Sequence, residues 1–219
     1  ILVSSGIPYF YKMILNAENI KKALDKKLPG SFSHRKMLPP NRKLFVPNEE
    51  NNIKHSSVLL LLFADNQELT ACLIKRTTHM KHHAGQIALP GGRIEKGETH
   101  LETALRETWE EIGISPEQIQ ILGSLSELYV EISRFLIHPF VGWLERKPQF
   151  TIDRNEVEKT ILFPLLKFKN SIDRIELESF TGKLNVPCIS FNGEIIWGAT
   201  AMIVSEFYDV LERSNIIRK

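Results

Sequence analysis

Between Thr99 and Ile112 the chain has no glycine or proline, and Leu101, Leu105, Thr108 and Ile112 recur at helical spacing. One face of a helix here therefore packs on a core. At roughly 100° per residue, Glu107, Glu110 and Glu111 fall on a second face, well away from that stripe. Gly113 stands where helices commonly end in the left-handed conformation. The segment is thus a core element on one side and a carboxylate cluster on the other.

Three carboxylates near a helix C-terminus are locally unfavourable. Like charges at i,i+3 or i,i+4 cost about 0.2–0.5 kcal/mol each, and the macrodipole is negative at that end. A bound cation removes the penalty, and oxygen-only ligands suit a hard ion such as Mg²⁺ or Mn²⁺. The expected chemistry is metal-assisted attack of water on a phosphate ester or anhydride. A solvated surface would explain a lone Glu-Glu pair, but not Pro90-Gly91-Gly92 ahead of the helix, where the lack of bulky side chains lets backbone approach a ligand. Nor would it explain Glu98 and Arg106, eight residues apart, which are placed to pair and pin the glycine loop to the helix.

Residues 92–114 resemble the signature of the Nudix hydrolases, G-x5-E-x7-R-E-U-x-E-E-x-G-U. Gly92, Glu98, Arg106, Glu107, Glu110, Glu111, Gly113 and Ile114 match, and Thr108 stands where a bulky aliphatic residue is expected. The resemblance implies a three-layer α/β/α sandwich with a mixed β-sheet. It also implies Glu107 and Glu111 as metal ligands, Glu110 as a third ligand or proton acceptor, and Glu98, Arg106 and Gly113 as scaffold.

The stretch Leu73 to Gly92 is similar to a further motif, L-L-T-x-R-S-x3-R-x3-G-x3-F-P-G-G, of the coenzyme A pyrophosphatase branch. Arg76, Thr77, Gly85, Pro90, Gly91 and Gly92 match or nearly match, whereas Lys81 replaces an arginine, Leu89 a phenylalanine and Ile74 a threonine. Lys81 keeps the charge but not the bidentate fork of arginine. Looser similarity extends through Leu122–Leu125, Phe135–Gly142 and Ile196–Thr200, so that the likeness covers roughly residues 50 to 213.

This branch implies a metal-dependent diphosphatase acting on coenzyme A or acyl-CoA, with 3′,5′-ADP and 4′-phosphopantetheine or its acyl form as products. Arg76, Lys81, Gly91 and Gly92 are then the candidate substrate-binding residues, with His82 and His83 weaker candidates in the same basic stretch. Many members take another carboxylate from a loop after the signature. Glu156 and Glu158 are the candidates, against a plain surface role for both. Two alternatives stand beside this reading: a Nudix hydrolase of ADP-ribose, a dinucleoside polyphosphate or a damaged nucleotide, and a non-catalytic nucleotide sensor, against which the complete glutamate set argues.

With 219 residues, 42% hydrophobic and 25% charged, the chain can bury a substantial core. A net charge of +2 is too balanced for nucleic acid as the main partner, and no apolar run is long enough to span a membrane as a helix. The expected partner is a small nucleotide, with a homodimer left open. Cys72 and Cys188 lack metal-site spacing and read as buried core thiols. The expected location is the cytoplasm of a bacterium.

The coarse path is mixed α and β. Helices are expected at Ala17–Leu28, after the glycine loop, and at Ala199–Arg213. Strands are expected near Ser57–Phe63, Leu69–Arg76, Ile119–Leu128, Phe135–Leu144, Ile175–Leu177, Cys188–Phe191 and Glu194–Trp197, with turns at Asp65-Asn66 and Asn192-Gly193. Lys147 to Arg174 is the least defined stretch. Residues 1–12 read as a leader or added segment, because Met13 begins an amphipathic pattern. Residues 13–219 then form a single domain with an N-terminal helical extension over about 13–50. Trp109, Trp143 and Trp197 are expected as packing residues.

Overall fold

Asn16 opens the first helix. In the computed structural model, which describes residues 15–45, 53–80, 83–179 and 182–217, its side chain accepts the Asn19 N–H at 2.9 Å and α1 spans Ala17–Leu24. The helix stops short of the expected Leu28, with Asp25 as its C-cap, and Pro29 further disfavours helical backbone at Leu28. The readings placed on residues 1–12, Met13, Lys81 and His82 lie outside the described residues.

A four-residue helix, α2 (Ser31–His34), follows, and then β1 (Lys54–Asp65), β2 (Glu68–Arg76), β3 (Ile87–Ala88) and β4 (Gly91–Arg93). The helix α3 (His100–Ile112) leads to β5 (Gln120–Ser124), β6 (Leu128–Val130), β7 (Phe135–Leu144) and β8 (Val157–Pro164). The chain ends with β9 (Ile172–Ser179), β10 (Gly182–Phe191), β11 (Glu194–Trp197) and α4 (Gly198–Arg213). The expected strand at 119–128 is thus two short strands.

β1 lies at the centre of a mixed sheet of order β3-β2-β1-β7-β5, onto which β4, β6 and β8 also pair. It runs antiparallel to β2 and parallel to β7. Its unbroken apolar run suits this position, since both faces are covered. Leu60 and Leu62 pack on the side of α1 and α4, whereas Leu59, Leu61 and Phe63 pack toward Ala104 and Ile112 of α3. The result is the expected α/β/α sandwich. β9, β10 and β11 form a separate antiparallel sheet, with β10 and β11 joined through Asn192-Gly193.

α4 is buried along most of its length, and its two deepest acids tie the N-terminal segment to the domain. Glu206 accepts the Gly30 N–H at 3.0 Å and pairs with His34 Nε2 at 2.9 Å. Asp209 accepts from Lys36 Nζ at 2.7 Å and from the Ser33 hydroxyl. These partners stabilise carboxylates that burial alone would expel.

Cys72 and Cys188 are buried free thiols, and burial pushes both above the usual thiol range. Trp143 is buried, but Trp109 is 58% exposed and is not a core residue. Among the described residues, no helix is long and apolar enough to cross a membrane.

Candidate active site

Thr99 begins α3 with a reciprocal cap. Its hydroxyl accepts the Glu102 N–H at 3.3 Å, and the Glu102 carboxylate accepts the Thr99 N–H at 2.8 Å. The buried face comprises Thr103, Ala104, Thr108, Glu111 and Ile112. Thr108 fills the position where an aliphatic residue was expected by donating its hydroxyl to the Ala104 carbonyl at 2.7 Å. The expectation that Glu111 lies well away from the packed stripe is therefore corrected. It sits on the core face at 2% exposure, because the stripe is centred nearer Ala104 than Leu105.

A buried carboxylate needs partners. Glu111 accepts the Gly91 N–H at 2.9 Å and an Arg76 Nη1–H at 3.2 Å. Burial nevertheless outweighs them and pushes its carboxyl up to about 8. Burial also raises Glu107, against the lowering effect of Arg106. Glu110 is the more open of the three, with its side chain 54% exposed.

Arg106 organises this end of the helix. Its Nε donates to Glu98 Oε1 at 2.6 Å and its Nη2 to Glu98 Oε2 at 3.2 Å. Nη1 reaches Glu107 at 3.0 Å and Glu110 at 2.9 Å. The glycine loop is thereby fastened to α3, and two cleft carboxylates are oriented by one planar group.

The Arg106 guanidinium holds the Glu98 carboxyl down at about 2, helped by Thr103 and the Glu95 amide. Because this value lies below the ordinary 4.5, the stabilisation is fully present above about pH 4.5 and fades as pH falls toward 2. Glu98→Gln is expected to lower the melting temperature near neutral pH, with the difference from wild type shrinking on acidification. A difference constant down to about pH 2, followed by circular dichroism, would contradict this ion-pair role.

Neither glycine leaves room for a Cβ beside the groups where they now stand. A Cβ on Gly92 would lie 2.3 Å from the Glu107 carboxylate. Gly91 has φ +149, and a Cβ there would meet the Ser57 carbonyl at 2.3 Å. The bare backbone thus lets β4 lie against β1 while bringing the Gly91 amide to Glu111.

A segment without a sequence signature completes the site. The last carbonyls of α3 would be orphaned, but Thr151 N–H donates to Ile112 O at 3.0 Å and Asp153 N–H to Glu111 O at 3.1 Å. The following turn is clipped to the end of β2, where Thr77 N–H donates to Glu156 O at 2.9 Å and the Thr77 hydroxyl to Asn155 O at 3.0 Å. As a result Asp153 and Glu156 join Glu107, Glu110 and Glu111 around a cleft of about 170 Å³. Arg76 stands beside it, with Nη2 3.8 Å from Glu156 Oε2.

Glu158 is not part of this group. The β2–β8 register shifts between Lys75 and Arg76, and Glu158, the extra residue of the bulge, lies 3.5 Å from Lys75 Nζ. His83 is exposed and pairs with Gln86 at 2.8 Å.

The cleft donors fit a hard divalent cation. They are all oxygens, and they include two carboxyls that burial makes costly to ionise without a nearby positive charge. Glu107, Glu110 and Glu111 are among the residues that could hold a divalent cation.

Acidic cleft, glycine loop and mixed-sheet sandwich together define a Nudix-type protein. The family model described as NUDIX domain matches residues 53–181, and the chain belongs to that family. It is 30% identical over 145 residues to Nudix hydrolase 3 of Caenorhabditis elegans, covering 65% of this chain and 60% of that protein. It is 34% identical over 127 residues to the same organism's peroxisomal coenzyme A diphosphatase ndx-8, covering 56% of this chain and 54% of that one. The chain thus spans less than two thirds of either relative. The crystal structure of a MutT protein from Methanosarcina mazei Go1 matches the fold with a TM-score of 0.51 at 18% identity, covering 77% of this chain and 99% of that one.

Proposed function

We propose that the chain is a Mg²⁺- or Mn²⁺-dependent diphosphatase that cleaves the pyrophosphate of coenzyme A or an acyl-CoA to 3′,5′-ADP and (acyl-)4′-phosphopantetheine. The observation that carries the reaction class is the convergence of five carboxylates on one cleft beside Arg76. When bound, the cation supplies Lewis-acid polarisation of a phosphoryl oxygen and a more acidic water. Arg106 orients Glu107 and Glu110, while Gly91 and Arg76 fix Glu111. Glu156 takes the proton of the water as its oxygen attacks phosphorus and the bridging P–O bond breaks.

The choice of coenzyme A rests on the upstream motif and is supported by the likeness to a relative named for that activity. Two departures from the motif do not bear on the cleft. Ile74 and Leu89 are both buried among core side chains, on opposite faces of the sheet.

Arg76 touches Glu111 rather than standing apart from the carboxylates. Arg76→Ala is therefore expected to weaken turnover of coenzyme A and 3′-dephospho-coenzyme A alike. Lys81→Ala is expected to raise KM for coenzyme A about tenfold or more, with little change for the dephospho form, if its charge holds the 3′-phosphate. Steady-state kinetics on both substrates checks this, and equal losses with Lys81→Ala would remove that contact.

A further inference from the structure

Three histidines distant in sequence converge at the opposite end of α3 from the acidic cleft. His55 lies on β1, His138 on β7, and His100 is the first residue of α3. One ring nitrogen of each falls within 4.8 Å of the other two. The separation of eleven positions between His100 and Glu111 corresponds to about 16 Å of helical rise, so this is a separate place in the fold.

His138 is the organising ring. Its Nδ1 lies 3.1 Å from Glu127 Oε1 and its Nε2 3.0 Å from His55 Nδ1. The carboxylate accepts the Nδ1–H, which leaves the Nε2 lone pair directed at His55. A neighbouring carboxylate that fixes tautomer and ring orientation is the usual support of a metal-ligating histidine. His100 stacks on His138 with ring centroids 3.6 Å apart, and its Nδ1 lies 3.4 Å from the hydroxyl of the buried Ser57.

We infer that His55, His100 and His138 form a second metal site, one for a divalent transition ion of the Zn²⁺ type. Imidazole nitrogen favours Zn²⁺ over the Mg²⁺ suited to the oxygen-lined cleft. Two changes bring in the first two ligands: the His55 proton moves from Nδ1 to Nε2, and both rings tilt so that their lone pairs meet at an ion off the line between the two nitrogens. Ligands 2.0–2.1 Å from a tetrahedral ion stand about 3.3 Å apart, close to the 3.0 Å between these nitrogens. His100 joins by turning its ring out of the stack.

The bound ion would tie β1, β7 and the start of α3 together. Because β4 pairs with β1 at Ser56–Val58, the clamp lies behind the glycine loop.

The test uses the whole chain dialysed against Zn²⁺ in excess Mg²⁺, which competes for the carboxylates. Wild type and Glu111→Gln are expected to retain one Zn²⁺ by elemental analysis and to melt higher than their zinc-free forms, whereas His138→Gln and His55→Gln retain none. Equal zinc in wild type and His138→Gln, or zinc lost only from Glu111→Gln, would overturn the site. If the histidine variants do not fold, Co²⁺ added to Mg²⁺-saturated wild type decides. Intense visible absorption from a low-coordinate, nitrogen-rich site supports the inference, and its absence defeats it.

Discussion

Glu111→Gln is expected to lower kcat by about 10²–10³-fold or more, the scale on which a single preorganised charge contributes to an active site. The amide keeps the shape and can still pack at this buried position, but it cannot supply the negative charge that holds the cation. The metal-free variant is expected to melt no lower than wild type, since Gln removes the burial cost that pushes the Glu111 carboxyl up to about 8. What disappears is the response to cation. Wild type gains about 2.7 kcal/mol when free Mg²⁺ or Mn²⁺ is about 100 times its Kd, and Glu111→Gln gains much less. Thermal melts across a metal titration, run beside turnover, separate a ligand from a merely structural residue. Undiminished turnover would remove the helix from the mechanism.

The second large effect concerns the proton acceptor. Glu156 is carried on a turn fixed at both ends by backbone hydrogen bonds, yet its side chain is 48% exposed and so reaches water. Asp153, by contrast, has its Oδ1 accepting both Asn155 amides at 2.8–2.9 Å. Glu156→Gln is expected to lower kcat by roughly 10²–10⁴-fold with little change in metal affinity. Glu158→Gln is expected to remain near wild type, because that side chain faces Lys75 outside the cleft. A Glu156 variant with wild-type kcat would transfer the role to Glu110.

The helix α3 was legible because its limits are local. Thr99 and Glu102 cap one end, Gly113 ends the other, and the intervening residues keep one period. The burial of Glu111 was not, because it depends on where the glycine loop and Arg76 arrive, and neither contact follows from helical spacing.

Asp153 escaped for a related reason. Its place is set by its own backbone N–H, which binds a helix carbonyl regardless of side chain. β8 was hidden by the adjacent charges Glu158 and Lys159 and by the bulge at Glu158, which break the alternation of a half-buried strand. The three histidines have no common spacing, and only the parallel pairing of β1 with β7 brings two of them together beneath the third.

The central claim is most directly tested by supplying the purified chain with Mg²⁺ or Mn²⁺ and a panel of coenzyme A, acyl-CoA, ADP-ribose and dinucleoside polyphosphates, with products identified by mass. The expected result is cation-dependent release of 3′,5′-ADP and 4′-phosphopantetheine, with coenzyme A or its thioester cleaved fastest. Hydrolysis of ADP-ribose far faster than coenzyme A would contradict the substrate assignment, and no hydrolysis of any member with either metal would contradict the diphosphatase itself.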